Sequence, residues 1–455
     1  MNVIKKVTDN AKKAAFKHAI NGLNMASDEN IVKVMDALLW LMPDDYEWLI
    51  KSVKKSVKDR DAFFVFLRRF LNETNPNCRD KFLVNFAAQG VFINNDIKKK
   101  LRAEGKTSPT TVLISPSMRC NLDCVGCYAG RYSKKDDMDP KLFDRILTES
   151  EEAGVPFFTI LGGEPLIYKD LLPMFKKHKD SFFQFYTNST LLTEDVVKEL
   201  AKLGNAIPMI SIEGWEEQTD ARRGKGTYKK ILKAMALLKK ERIPFGVSVA
   251  VTSKNVDIVS SDEFIQFLVD QGAFLAWWFL YMPIGKEPDL SLMPTPKQRR
   301  MMYERGKEIR SKFPFFLIDF WNDAPYVGGC IAGKEYIHIN TKGDVEPCIF
   351  THFAADNIKD KSLLEVMNSD YFKALRSRQP YNDNLFMPCM WIDNPEVARE
   401  LHKKYGVYPT HPDAEFIIDD PKTKKAIDKY AKEIAKEFEE PWHAQHCKNC
   451  QHKCK

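Results

Sequence analysis

Between residues 106 and 290, short apolar stretches alternate with longer amphipathic ones, and this alternation limits the fold more than any other property of the chain. Thr110–Ser115, Phe157–Leu161, Phe182–Tyr186, Ile207–Ile212, Phe245–Val251 and Phe274–Leu280 read as strands. Helical stretches fall near 140–153, 168–180, 192–204, 227–241 and 261–271. Repeated βα units of this length imply an α/β fold with a parallel sheet, open or closed. Ligands of such sheets gather at the C-terminal ends of the strands.

The flanks read differently. Residues 1–105 form a helical N-terminal domain on this reading, with apolar residues at three- and four-residue steps in Val32-Met35-Leu38-Leu39 and Phe63-Phe66-Leu67-Phe70-Leu71. Asp44 and Asp45 after Pro43 suit a helix start. Such a domain either packs on the main body or serves substrate recognition or membrane contact. Pro283–Pro296 marks the exit from the βα region. Residues 291–395 then carry Cys330, Cys348 and Cys389 among short strands and turns, and residues 396–455 form a lysine-rich helical tail ending in cysteines and histidines.

The composition, 44% hydrophobic and 29% charged, is that of an ordinary globular protein. The net charge of +7 suits a solvated lysine surface or an anionic partner. No long apolar core follows the opening Met-Asn-Val-Ile-Lys-Lys, so no signal peptide is expected. The longest apolar run, Ala273–Met282, is too short to span a bilayer. A cytoplasmic location is expected, with peripheral membrane association left open. Ten cysteines in such a chain are metal ligands more readily than disulfides, with Cys78 standing apart as an ordinary thiol.

Cys120, Cys124 and Cys127 form a C-x3-C-x2-C triplet. Three thiolates hold three irons of a 4Fe-4S cluster and leave the fourth open to a substrate or cofactor. A zinc site is the rival, although zinc usually pairs C-x2-C with a second pair of ligands. One βα unit further on, at a strand end, stands Gly162-Gly163-Glu164-Pro165. Together the triplet and this GGEP motif resemble the signature of the radical S-adenosylmethionine (SAM) superfamily.

The resemblance implies a partial (β/α)6 TIM-like barrel, flanked by the N-terminal helical domain and a small cysteine-bearing extension. It implies that the open iron chelates the amino and carboxylate groups of SAM. One electron then breaks a C–S bond and yields a 5′-deoxyadenosyl radical. Gly162, Gly163, Glu164 and Pro165 correspond to the motif that contacts the SAM amino group. Asn188, Ser211 and Glu213 stand at the next strand ends, where relatives reach the ribose. Arg222-Arg223-Gly-Lys-Gly-Thr227 resembles the family's R-x-G-x-G segment followed by Ser or Thr, whose arginine pairs with the SAM carboxylate. Arg223 is assigned that role, with Arg222 as the alternative, because a guanidinium grips a carboxylate bidentately. The family often carries an aromatic just before the third cysteine, near the adenine. This chain has Gly126 there, and Tyr128 after the cysteine takes up part of that role.

A second resemblance lies downstream. Cys330-x12-Gly343-x4-Cys348 matches the opening of the SPASM/twitch extension, which holds auxiliary iron–sulfur clusters. The chain lacks the extension's C-x2-C-x5-C-x3-C block, so one auxiliary 4Fe-4S cluster is expected rather than two. Cys330, Cys348 and Cys389 are its expected ligands, with a fourth from the tail or from substrate. The tail cysteines, Cys447, Cys450 and Cys454, fit that cluster, a zinc site of three cysteines and a histidine, or free thiols.

The chain is therefore expected to be an enzyme with an external electron donor such as flavodoxin or ferredoxin. Relatives of this kind imply a peptide or protein substrate; a lipid or small molecule is the alternative. Trp277-Trp278-Phe279 and Phe313-Pro314-Phe315-Phe316 through Phe320-Trp321 are either plain core or the walls of an apolar pocket. A non-enzymatic metal-binding protein contacting nucleic acid would cluster its lysines with aromatic platforms. Here the lysines are dispersed, and no nucleic-acid partner is expected.

Overall fold

The computed structural model describes residues 31, 47–86, 94–133, 135 and 137–446. Val32, Met35, Leu38, Leu39, Pro43, Asp44 and Asp45 lie outside the described residues, as do Cys447, Cys450 and Cys454.

Seven strands form the parallel body of one sheet: β1 (Thr111–Ser117), β2 (Phe157–Gly162), β3 (Phe182–Thr187), β4 (Ala206–Ser211), β5 (Gly246–Val251), β6 (Leu275–Leu280) and β7 (Phe316–Asp319). Each pairs in parallel with the one before it. The strands are joined through helices whose starts are written in their sequences. Asp139 accepts from the backbone N–H of Lys141 ahead of Pro140–Glu152, Thr193 from Val196 ahead of Glu194–Leu203, and Ser261 from Phe264 ahead of Asp262–Gln271. Each helix turns its apolar stripe onto the sheet, as Phe143, Ile146 and Leu147 do.

The alternation of helix and parallel strand continues past residue 290. Thr295 and Gln298 form a capping box with Pro296 in the first turn, and the helix Pro296–Lys312 is a sixth crossover that delivers β7 to the sheet. The sheet is also extended on its other side. β8 (Tyr336–Ile339) runs parallel to β1, β9 (Asp344–Glu346) returns antiparallel, and β10 (Phe353–Ala354) and β11 (Asp356–Asn357) follow. The order is β11-β9-β8-β1-β2-β3-β4-β5-β6-β7, so β1 and β7 do not meet and the barrel stays open. β10 pairs instead with β12 (Tyr408–Pro409).

The described N-terminal helices cover the strand starts. Phe86 meets Phe157 at the start of β2, Phe82 meets Phe182 at the start of β3, and Phe66 meets Phe316 at the start of β7, all with ring centroids 5.0–6.1 Å apart. They close the end of the sheet opposite the strand C-termini. No helix among the described residues is long and apolar enough to cross a membrane. At the C-terminal side the fully buried Arg299 donates to Asp393 at 2.6 and 3.2 Å and to the Phe386 carbonyl at 2.7 Å. The other function of Asp393 is to accept from the backbone N–H of Cys389 at 3.0 Å, which holds that cysteine's loop in place.

Candidate active site and cofactor centre

β1 ends at Ser117, and the loop after it carries the cysteine triplet. Arg222 clasps this loop: its Nε donates to the Val125 carbonyl at 3.1 Å and its Nη2 to the Gly126 carbonyl at 3.4 Å, while its own carbonyl accepts from Val125 N–H at 2.9 Å. The thiols of Cys120, Cys124 and Cys127 share the wall of one cavity of about 290 Å³ at the strand C-termini. Burial pushes the Cys120 and Cys124 thiols up, and Arg223 and Arg222 oppose this at Cys124. Iron must therefore displace protons on binding.

The donor set fits a cluster. Leu122 N–H and Asn188 Nδ2 point at Cys120 Sγ from 3.5 and 3.7 Å, as donors to a ligating thiolate do. Among the described residues no three Cys, His, Asp or Glu side chains converge as the ligands of a single ion would. A 4Fe-4S cube carries each thiolate on a different iron, so its ligands stand around the cluster rather than around one point.

The glycines after β2 meet a backbone rather than an open space. A Cβ on Gly162 would lie 2.3 Å from the Ser117 carbonyl, and one on Gly163 2.2 Å from the Arg119 carbonyl. The β2 end thus passes directly under the cysteine loop, with Gly163 N–H and Glu164 N–H donating to those same two carbonyls at 3.0 and 2.8 Å. Tyr128 adds a strap, its hydroxyl sitting 3.3–3.4 Å from the Gly162 N and O. Gly162, Gly163 and Tyr128 all line the cavity.

Glu164 and Pro165 do not line it. Glu164 is fully buried and accepts from Thr187 Oγ1 at 2.8 Å, Asn188 N–H at 2.8 Å and Leu166 N–H at 3.2 Å. Burial nevertheless pushes its carboxyl up to about 7. Pro165 opens the turn Pro165–Ile167. The carboxylate fixes the backbone of the β3 end, where Thr187 and Asn188 reach the cavity.

Ser211 lines the cavity beside Ser248, 3.4 Å away, and Arg222 and Arg223 line it as well. Glu213, expected near the ribose, stands apart from these residues. Glu213 is absent from the cavity wall, buried behind it, where Oε1 accepts from Arg223 Nε and Nη2 at 3.0 and 2.5 Å and from Arg222 Nη1 at 3.1 Å. Its Oε2 accepts from Ala250 N–H at 3.1 Å. A buried carboxylate beside two arginines is held by them, and Glu213 fixes the orientation of both guanidiniums.

Several wall residues escaped the sequence reading, Tyr281 among them. Tyr281, directly after β6, stands against Gly126, and its hydroxyl accepts from Asp289 N–H at 3.1 Å. Its signal was its place just past a strand end, the criterion that singled out Asn188 and Ser211.

Cys330, Cys348 and Cys389 come together on a second cavity. Burial pushes Cys330 up to about 12, Cys348 up to about 11 and Cys389 well above the ordinary thiol. Phe350 N–H and Trp391 N–H point at Cys348 Sγ and Cys389 Sγ from 3.4 Å, and the Tyr336 hydroxyl donates to Cys348 Sγ at 3.0 Å. These donors suit ligated thiolates. Gly343 of the same motif has φ +86° in the β8–β9 turn, a left-handed geometry that glycine takes without strain. The two cavities share Trp277, Phe320, Ile331, Tyr336 and Phe350 as a common wall.

An open parallel α/β barrel with a three-cysteine loop after its first strand, and three further cysteines behind a shared wall, is an arrangement suited to iron–sulfur chemistry. The chain is a radical SAM enzyme with a SPASM cluster-binding domain. The radical SAM superfamily model matches residues 114–267 and the SPASM iron–sulfur cluster-binding domain model residues 330–390. Its cofactors are accordingly a 4Fe-4S cluster, SAM and auxiliary iron–sulfur. It is 24% identical over 299 residues to an AdoMet-dependent heme synthase of Methanosarcina barkeri, covering 59% of this chain and 85% of that one. It is 22% identical over 266 residues to the sporulation killing factor maturation protein SkfB of Bacillus subtilis, covering 57% and 64%. In fold it is similar to SuiB of Streptococcus suis bound to its precursor peptide SuiA, with TM-score 0.52 and 20% identity over 62% of this chain and 70% of that one.

Proposed function

We propose that this radical SAM enzyme abstracts a hydrogen atom from a peptide or protein substrate. In this reading Cys120, Cys124 and Cys127 hold the SAM-binding cluster, and Cys330, Cys348 and Cys389 hold an auxiliary one. When bound, the reduced cluster and SAM supply one-electron cleavage of a C–S bond and, through it, hydrogen abstraction at carbon. The observation that carries the reading is the single cavity on which three thiols, two arginines and the glycine turn meet.

The residues divide the work. Arg222 fixes the cysteine loop. Arg223, oriented by Glu213, offers its guanidinium to the SAM carboxylate. Gly162 and Gly163 bring backbone carbonyls to the amino group, with the Glu164 carboxylate behind them. Asn188 and Ser211 serve the ribose. The aromatic walls keep water from the reacting centre. An external donor such as flavodoxin or ferredoxin supplies the electron.

The names of SkfB and SuiB support a peptide substrate. The similarity to a heme synthase favours a second reading, a small-molecule substrate. In the test, reduced, reconstituted protein is given SAM. Methionine and 5′-deoxyadenosine are expected in equal amounts, and the Cys120→Ala, Cys124→Ala and Cys127→Ala variants should form neither. Failure of wild type to form them, or their survival in the variants, refutes the reading.

A further inference from the structure

Beyond Tyr128 of the cysteine loop, whose ring lies 6.2 Å from Phe350, the cavity has a definite chemistry. Trp277 and Phe279, successive inward positions of β6, stack with centroids 5.5 Å apart and planes 4° apart. Phe320 packs against both at 5.9 and 5.4 Å, Tyr186 meets Phe279 at 5.9 Å, and Phe350 meets it at 6.3 Å. Tyr336 closes the group 6.2 Å from Phe320. The rings form one continuous aromatic lining.

Charge is confined to the other end. No Asp, Glu, Lys or His among the described residues lines the cavity, and its only charged side chains are Arg222 and Arg223. Both are held by Glu213 beside the cysteine loop. Glu213 and the SAM carboxylate take up these two guanidiniums, and a cationic guest in the aromatic part finds no carboxylate there. An anionic guest in the aromatic part finds no cation there, only neutral donors such as the buried Trp277 indole N–H. An unpaired buried charge is strongly disfavoured, whereas each ring pair formed with an aromatic guest adds attraction beyond burial.

Size argues the same way. At about 290 Å³ the cavity is small for a site that must also admit SAM. With its cysteine end given to SAM, the remainder suits one side chain rather than a macrocycle with carboxylate arms.

Resting on the proposed function above, we infer that the substrate inserts a single uncharged, aromatic or large aliphatic side chain into the cage of Tyr186, Trp277, Phe279, Phe320, Tyr336 and Phe350. The hydrogen atom leaves a carbon of that side chain for the 5′ carbon; one C–H bond breaks homolytically, one forms, and the unpaired electron stays on the peptide.

The experiment uses the reduced holoenzyme, SAM and blocked peptides that differ only in one perdeuterated central residue: Trp, Tyr, Phe, Leu, Lys or Glu. Deuterium in 5′-deoxyadenosine is read by mass spectrometry. At least tenfold more transfer is expected from the Trp, Tyr, Phe and Leu peptides than from the Lys and Glu peptides. Equal or greater transfer from the charged peptides overturns the inference, as does transfer from none while undeuterated 5′-deoxyadenosine forms. Absence of any 5′-deoxyadenosine instead strikes the broader reading. A Phe279→Glu variant adds a gain-of-function arm, since a carboxylate in the cage should raise transfer from the Lys peptide relative to the Phe peptide; an unchanged ratio counts against the cage.

Discussion

A Cβ on Gly126 would lie 2.7 Å from Cε2 of Tyr281, so the ring arriving from the end of β6 fills the space that a side chain before Cys127 would need. Gly126 also has φ +62°, which side chains adopt only under strain. Gly126→Ala should cost about 1–3 kcal/mol. Tyr281→Ala in that background should recover the steric share but not the backbone share. Urea unfolding of the two variants checks this, and a neutral Gly126→Ala would show that the ring does not wall the loop.

Glu213 bears on the same loop through Arg222 and Arg223. Removing a buried carboxylate from two partners leaves both charges unpaired, so Glu213→Ala should cost about 3–5 kcal/mol. The lower end is expected, because the arginine side chains keep 18% and 13% of their exposure. SAM affinity should fall with stability, since Arg223 loses its orientation. Unfolding and equilibrium dialysis measure the two effects, and a stable variant with wild-type affinity would contradict the role given to Glu213.

Glu164 predicts a pH dependence. Its folded carboxyl is pushed up to about 7 by burial, above its ordinary value of 4.5. Stability from this group is therefore present in full below about 4.5 and is lost as pH rises through about 7. Binding the SAM ammonium requires the ionised form, so affinity should run the other way and rise about tenfold between pH 6 and pH 8. Glu164→Gln should flatten both profiles. An affinity that is level across this range in wild type would show that the Glu164 charge, behind the glycine turn, does not bear on the amino group.

Tyr336 stands on both cavities and donates to Cys348 Sγ. Hydrogen bonds to ligating sulfur stabilise the more negative reduced cluster. Tyr336→Phe should leave the iron count unchanged and move the auxiliary potential to more negative values, read by redox titration. An unmoved potential would leave Tyr336 as cavity wall alone.

Much of this was legible before the structure. The strands fell within a residue or two of their places because each is a short run rich in aromatic and β-branched residues between helices with clear caps, as Phe182–Thr187 is. β7 was hidden because Phe316–Asp319 is short and follows Pro314 within an aromatic run that reads equally as core. Spacing placed Glu213 at a strand end but carried no sign that two arginines ten residues on would turn back to claim it. The glycine motif was visible, whereas its steric reason, the carbonyls of Ser117 and Arg119, depends on a contact between loops more than forty residues apart. The meeting of Gly126 and Tyr281 is longer-ranged still and exists only once β6 lies in the sheet.

In a variant carrying Cys330→Ala, Cys348→Ala and Cys389→Ala, the cluster at Cys120, Cys124 and Cys127 is the one expected to remain, and its EPR spectrum with and without SAM reads the open iron directly. The predicted result is a reduced-cluster signal that persists in this variant and changes shape when SAM is added. A signal unmoved by SAM, or one lost here yet retained when Cys120, Cys124 and Cys127 are replaced, would contradict the assignment.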